Sequence, residues 1–556
     1  MKRVISLLLA TLMLLTVCIG CGSKEENKSS TSSAATTGTT ETDKSASGET
    51  TAKASTDEEE VTWDSPNLTW KKDTSPVTYS LFLDIPWSPV DVWGTDHVSQ
   101  EVTRRTGVSF EVTKAQDRNH LGLLLASGDL PDSIFVYEKK ERFETSTVSQ
   151  PWDELIPKYA PEFDKLIGDD EKALATVEDG HYYTLYTHNR NQAYWDDPTL
   201  PVSYGEPTIM LRDDIMEELG NPKIETVDDF YNVLKQVKEK HPDYIPFLQP
   251  NQNGSALAGW FGINTAGAWY IDKNGKVGLP QADREHYYPY LKYMNKLSRE
   301  GLLSTEGLTY DFNKQKQAIL AGKVFATAGQ IYDVDLINEE LDKIPGNTLR
   351  YTAMNKPLKV DGEIKYSPVY TNSGFAGFYI TQNCKEPGRL IALMEFMKSP
   401  EGDKLTQWGV EGVDYTLTED GLPLMDDSIS WKERGDNVWY FQASFIVEAM
   451  KVMTKKETAP KYAQVTSLMY DFKPYWKVDY ALALTKVLPE SEEADILSSI
   501  TNTFSNTVNS IILAEDDSTF EKRFNAMFDE IESLGLSKLL EYAQAQYEKY
   551  KPRFEK

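Results

Sequence analysis

Between Lys2-Arg3 and Gly20-Cys21 the chain is almost wholly apolar, from Val4 to Ile19, and no other stretch limits the remainder so firmly. A basic start, an apolar centre and small residues at its end are the three regions of an export signal. About 16 residues reach roughly 24 Å as a helix, short of the ~20 residues a membrane span needs. The rest of the chain is therefore expected to fold outside the cell. Beyond Cys18 and Cys21 only Cys384 remains, so the exported body has no intrachain disulfide and must hold together by its core.

The cysteine directly after Gly20 sets this leader apart. The stretch ending at Cys21 resembles a bacterial lipobox, although Cys18 stands where leucine is usual. The resemblance implies a signal peptide over residues 1–20 and lipidation of Cys21. Each acyl CH₂ buried in a bilayer contributes about 0.8 kcal/mol, so two or three chains anchor firmly. Residues 21–60 are Ser, Thr, Ala, Gly, Lys and Glu with no aromatic. Such a segment buries too little apolar surface to offset its ordering entropy, and is expected to be a tether.

The body starts near Val61 and is long enough for two domains or one bilobal unit. Its formal charge is -28 for the whole chain and grows more negative once Lys2 and Arg3 leave. That balance disfavours nucleic acid and anionic lipid surfaces as partners. Aromatics are plentiful, with 12 Trp, 30 Tyr and 21 Phe, and flat rings with polar edges suit the faces of sugars.

The opening segments alternate strand and helix. Val77–Leu83 reads as a strand, His97–Thr106 as a helix closed by Gly107, Val108–Thr113 as a strand, His120–Ala126 as a helix and Ser133–Tyr137 as a buried strand. Short loops between them argue a doubly wound α/β lobe, whose ligands sit beyond the carboxyl ends of the strands. At the far end, Asn525–Tyr550 reads as a helix pair. Its stripe of Phe528, Ile531, Leu534, Leu539, Leu540 and Ala543 is assigned to core packing.

Several motifs recur in a fixed order: Thr106-Gly107-Val108, ASGDLPD from Ala126, TIMLRDDIMEELG from Thr208, PKIETVDDFYNVLKQVK from Pro222, the hairpin Trp269–Lys276, Tyr290–Gly301, Ala321–Thr327, and Gly409–Tyr415 with Glu419–Pro423. In that order they resemble the extracellular solute-binding proteins (family 1) of carbohydrate ABC importers, the family of the maltose-binding protein. The resemblance spans about residues 75 to 550. It implies an α/β, periplasmic-binding-protein-like (type II) two-lobed clamp with interlobe crossovers and a helical C-terminal part. It places lobe I at 61–185 plus 369–412, and lobe II at 186–368 plus 413–556. The partners it implies are an oligosaccharide or other small molecule, ABC permease subunits, and the membrane through the anchor. The protein is expected to be a monomer.

Signatures of chemistry are missing from the sequence. The six histidines show no HExxH spacing, and Asp272-Lys273-Asn274-Gly275 starts like a calcium loop but lacks its closing glutamate, so it reads as a turn. No P-loop, GxGxxG or GxSxG elbow occurs. No cofactor, metal or catalytic residue is assigned. The expected ligand contacts come from five loops: Trp87, Asp91 and Trp93; Tyr137 and Glu138; Trp260, Trp269 and Tyr270; Gln330 and Tyr332; and Trp408, Glu411 and Tyr415. The reading is a lipid-anchored binder on the outer face of the cytoplasmic membrane. Its rivals are an extracellular polysaccharide-active hydrolase or lyase and a peptide-binding receptor, since a fold does not fix its ligand.

Overall fold

The computed structural model describes residues 61–555 apart from 86–91, 117–119, 138–139, 188–191, 199, 201–206, 251–254, 332, 372–373, 375, 420, 427 and 436–462. The leader, the tether and Cys21 lie outside the described residues. The strands of two four-stranded sheets are, in chain order, β1 (Val77–Asp84), β2 (Val108–Lys114), β3 (Ser133–Val136), β4 (Pro207–Arg212), β5 (Ile245–Leu248), β6 (Val324–Gln330), β7 (Tyr351–Ala353) and β8 (Gly377–Ile380). The helices that frame them include α1 (His97–Thr106), α2 (Asp169–Ala175), α3 (Arg284–Arg299), α4 (Gly388–Lys398), α5 (Tyr480–Leu484), α6 (Glu492–Ile512), α7 (Asp517–Ser533) and α8 (Leu536–Tyr550).

The first sheet has the order β8-β3-β1-β2. β1 runs parallel to β2 and β3, with Val77 opposite Val108 and Leu81 opposite Ser133. Local signals explain the joints. Asp96 caps α1 by accepting the Ser99 N–H at 2.7 Å, and Gly107 ends the helix at φ 73°. A Cβ on Gly107 would lie 2.3 Å from the Thr74 carbonyl oxygen, so only glycine fits between helix end and strand. Val98 and Val102 face inward one turn apart and seal α1 onto the sheet.

β8 is the exception to sequence order. It arrives from a distant part of the chain and pairs antiparallel to β3, Gly377 opposite Val136 and Ile380 opposite Ser133. The second sheet has the order β5-β6-β4-β7; β4 is antiparallel to both neighbours and β5 is parallel to β6. Each sheet has its own core. Leu81, Phe110, Trp152, Phe378 and Leu393 belong to the first, while Phe230, Trp260, Met294, Phe325 and Phe528 belong to the second. The C-terminal helices pack on the second core through Ile500, Phe520, Phe528, Ile531, Leu539 and Ala543, with Leu534 and Leu540 partly buried at its edge. A short hairpin pairs Tyr415–Leu417 with Pro423–Met425, and just before it buried Asp414 accepts from the His97 ring at 2.7 Å at the start of α1.

α4 is buried along nearly its whole length, Leu390 to Lys398, and so carries two polar groups into the first core. Lys398 meets Glu171 of α2 at 2.8 Å, both about 6% exposed, and each neutralises the other. Glu395 has no such cation. It accepts the Trp70 backbone N–H at 3.0 Å, while its other oxygen finds no hydrogen-bond partner among the described residues, and burial pushes its carboxyl up to about 7. Trp70 stacks edge-on to Phe396 at 4.9 Å, so this carboxyl fastens the first turn of the body, Thr69–Lys71, to α4.

A raised carboxyl favours the folded state fully below its ordinary value of 4.5, and that contribution fades as pH climbs through about 7. Glu395→Gln should therefore unfold at the same denaturant concentration as the parent near pH 4.5. At pH 8 it should be more stable by about 2–3 kcal/mol. Urea unfolding at the two pH values checks this, and equal curves at both would contradict it.

Candidate functional site

The carboxyl ends of β1 and β3 and the start of β8 form one edge of the first sheet, the edge where ligands gather in sheets of this kind. From this edge Lys140 reaches Gly374 on the stretch that brings the chain back into the first lobe. Its ammonium donates to the Gly374 carbonyl at 3.0 Å and lies 4.5 Å over the Tyr186 ring. Tyr186 is the last part of the first lobe before the chain leaves it, and its hydroxyl donates to Glu144 at 2.5 Å. The Tyr379 hydroxyl donates to the same carboxylate oxygen at 3.2 Å.

The second lobe supplies the fourth side. Lys486, just past α5, places its ammonium 4.0 Å from the other oxygen of Glu144 and 5.9 Å over the same Tyr186 ring. Burial lowers the Lys140 amine to about 8, and repulsion from Lys486 adds to that. Both tyrosines titrate far above the usual range, because burial and the Glu144 charge oppose phenolate. Gly374 has φ 136°, and a Cβ there would sit 2.4 Å from that of Tyr186, so the two crossing strands touch backbone to backbone.

A cavity of about 240 Å³ opens beside this cluster. Glu141, Glu144 and Thr145 line it from the first lobe, and Leu484, Lys486 and Tyr542 from the second. Two larger hollows, of about 430 and 790 Å³, are walled by second-lobe residues alone. Closure between the lobes can enclose a solute only in a space both lobes line, which favours the smaller one.

Six of the aromatics expected in the cleft have packing partners of their own. Trp260 is fully buried in the second core. Trp269 is 2% exposed, and its indole N–H donates to the Thr485 carbonyl at 2.8 Å. Tyr270 packs half-buried against Gly278 in its hairpin, its phenol raised by burial and Asp283. Trp93 donates to Thr103 Oγ1 at 2.8 Å and meets Phe110 edge-on, sealing α1. Trp408 and Tyr415 are buried against each other at 5.6 Å, with Glu411 exposed on the adjoining turn. Each of these six rings has a packing partner. Tyr137 and Gln330 do sit at the ends of their strands. Tyr137 is half-buried against the first core, and the Gln330 N–H donates to Asp333 at 2.7 Å. Burial pushes the Asp333 carboxyl up to about 6. Trp87, Asp91, Glu138 and Tyr332 lie outside the described residues.

Asp272 spends its carboxylate on its own turn, accepting from the Asn274 and Lys276 N–H groups at 2.8 Å. Among the described residues no three ligating side chains converge as a metal site would require. Cys384 is buried, its thiol pushed up to about 11, which leaves little thiolate for nucleophilic chemistry.

Two α/β lobes with separate cores, joined where the chain crosses between them, define the periplasmic-binding-protein-like clamp of the extracellular solute-binding proteins. No family model matches the chain. Lipoprotein LipO of Bacillus subtilis is 25% identical over 380 residues, 63% of this chain and 69% of LipO. The fructooligosaccharide ABC transporter substrate-binding protein FusA of Streptococcus pneumoniae is 28% identical over 261 residues, a stretch covering 41% of this chain and 45% of FusA. The solved structure of FusA in complex with kestose superposes on 86% of this chain and all of its own, with a TM-score of 0.64 at 19% identity. FusA, one of the chain's homologues, is thus an ABC-transporter substrate-binding protein, and the chain shares the fold of its solved structure.

Trp269→Ala removes a buried ring and strands the Thr485 carbonyl. It should cost about 3–5 kcal/mol of stability, as large-to-small core changes do. Denaturant unfolding measures this, and a cost under about 1 kcal/mol would make Trp269 an exposed platform after all.

Proposed function

We propose that the protein is a non-enzymatic receptor that captures an oligosaccharide between its lobes and delivers it to an ABC permease. The observation that carries this reading is the junction lined from both lobes by Lys140, Glu144, Tyr186 and Lys486. Hydroxyls and charged groups held there offer the donors and acceptors a polyhydroxylated solute needs. The kinship with FusA supports a carbohydrate as that solute. A ligand touching both lobes makes more contacts when they are closed, so it shifts the population toward the closed form. The permease would then recognise that form.

Residues 1–20 direct export, and lipid on Cys21 holds the receptor on the outer face of the cytoplasmic membrane. Residues 21–60 give the body slack to reach the permease.

A thermal-shift screen with fructo-, galacturono- and N-glycan-type oligosaccharides should find one that raises the melting temperature in a concentration-dependent way. After prolonged incubation that sugar should be recovered uncut. Shortened products would establish an enzyme instead, and a shift only with peptides would establish a peptide receptor.

A further inference from the structure

The end of the chain, which belongs to the second lobe, is tied to the first. The loop after α2 turns back through Val177 and His181, whose backbones are bonded at 2.9 Å, and presents Glu178 at its tip. Glu178 accepts from Lys549 Nζ at 2.8 Å and from the Tyr550 hydroxyl at 2.7 Å, both on the last turn of α8. Three residues on, Arg553 donates to the Thr176 carbonyl at 3.0 Å and the Ala173 carbonyl at 3.4 Å. α2 packs with the first core, where Lys398 holds it through Glu171, whereas α8 packs with the second through Leu539, Ala543 and Tyr547.

Apolar packing runs alongside these bonds. Leu174 of α2, Tyr370 on the returning crossover, and Tyr480 and Ala483 of α5 form one small buried cluster, with Phe554 against Tyr480 at 5.6 Å. Trp195, on the outgoing crossover, packs 4.9 Å from Tyr370 and stacks on Trp476 at 6.1 Å. Elements of both lobes and of the first two crossovers therefore meet in one place, and the bonds from Lys549, Tyr550 and Arg553 span it.

We propose that residues 549–553 form a strap that fixes the resting angle between the lobes, and so sets how readily the receptor closes. The role rests on the binding reading above, because only a clamp has a closure to regulate. Donors of the strap ride on one lobe and acceptors on the other, so a change of lobe angle must stretch or break bonds only about 3 Å long. Lobe motion in such proteins is absorbed by a few residues at the crossovers, and a bond set beside them biases which angle is populated. Tyr550 also lines the interlobe cavity, so the strap and the space a ligand would enter share a wall.

The test needs no ligand. Spin labels at Asp129→Cys on the first lobe and Asn313→Cys on the second, both exposed, report the lobe separation in the full chain with Cys18 and Cys21 replaced by serine. Buried Cys384 stays unlabelled. The parent should give one main distance. Glu178→Ala combined with Arg553→Ala should move or split that distribution, and the exchanged pair Glu178→Lys with Lys549→Glu should bring it back. An unchanged distribution in the double alanine variant, with its unfolding curve also unchanged, overturns the strap. Arg284→Ala breaks an ion pair within the second lobe, to Asp529, and should leave the distance alone. If it shifts the distance as far as the double alanine variant does, the strap has no special role. A failed sugar screen alongside a shifted distance would reject the ligand and keep the hinge, whereas sugar binding with an unmoved distance would do the reverse.

Discussion

The pairing of Gly377–Ile380 with Ser133–Val136 is the constraint on which the rest depends. Without it the first sheet would be three local strands and the second lobe a separate domain at the end of a linker. Because the chain must come back to complete the first sheet, the lobes are joined by more than one strand. Several crossovers restrict relative motion far more than one does, and the first two place Tyr186 and Gly374 in contact at the point of exchange. The candidate site, the small hinge cluster and the C-terminal strap are all neighbours of that contact.

Charge is handled differently in the interior and at the junction. In the first core Lys398 and Glu171 cancel each other at 2.8 Å, and burial holds the carboxyl of Glu395 up at about 7. At the junction two ammonium groups share one tyrosine ring and one glutamate, and Lys140 is left with a depressed affinity for its proton. A group that gives up its full hydration for a single carbonyl and a ring face is poised to gain from a further acceptor. The hydroxyls of a sugar are such acceptors. The overall charge of -28 makes a neutral solute a better match for this setting than a polyanion.

The fold was largely legible in the sequence because it is written in local signals. The helix from His97 to Thr106 ends where Gly107 says it should, and the strands at 77, 108 and 133 start as their alternation with helices implies. The returning strand was legible only through kinship, since nothing in Gly377–Ile380 names Val136 as its partner. The site was much less legible. Trp260, Trp269 and Trp408 are of the right type for sugar platforms, but residue type cannot say which way a ring faces, and all three face inward. Lys140, Glu144, Tyr186 and Lys486 carry no spacing signal, being 346 positions apart at their extremes in a numbering that runs from 140 to 486. Only the tertiary crossing brings them together.

The central claim is that an intact solute is gripped from both sides at once. Hydrogen exchange measured with and without the stabilising oligosaccharide tests it most directly, because the two walls of the junction belong to different lobes. The account predicts slowed exchange at residues 140–145 and at residues 485–488 together, at the same ligand concentration. Protection on one lobe alone, or in the hollow beside Tyr288 and Lys292, would contradict it.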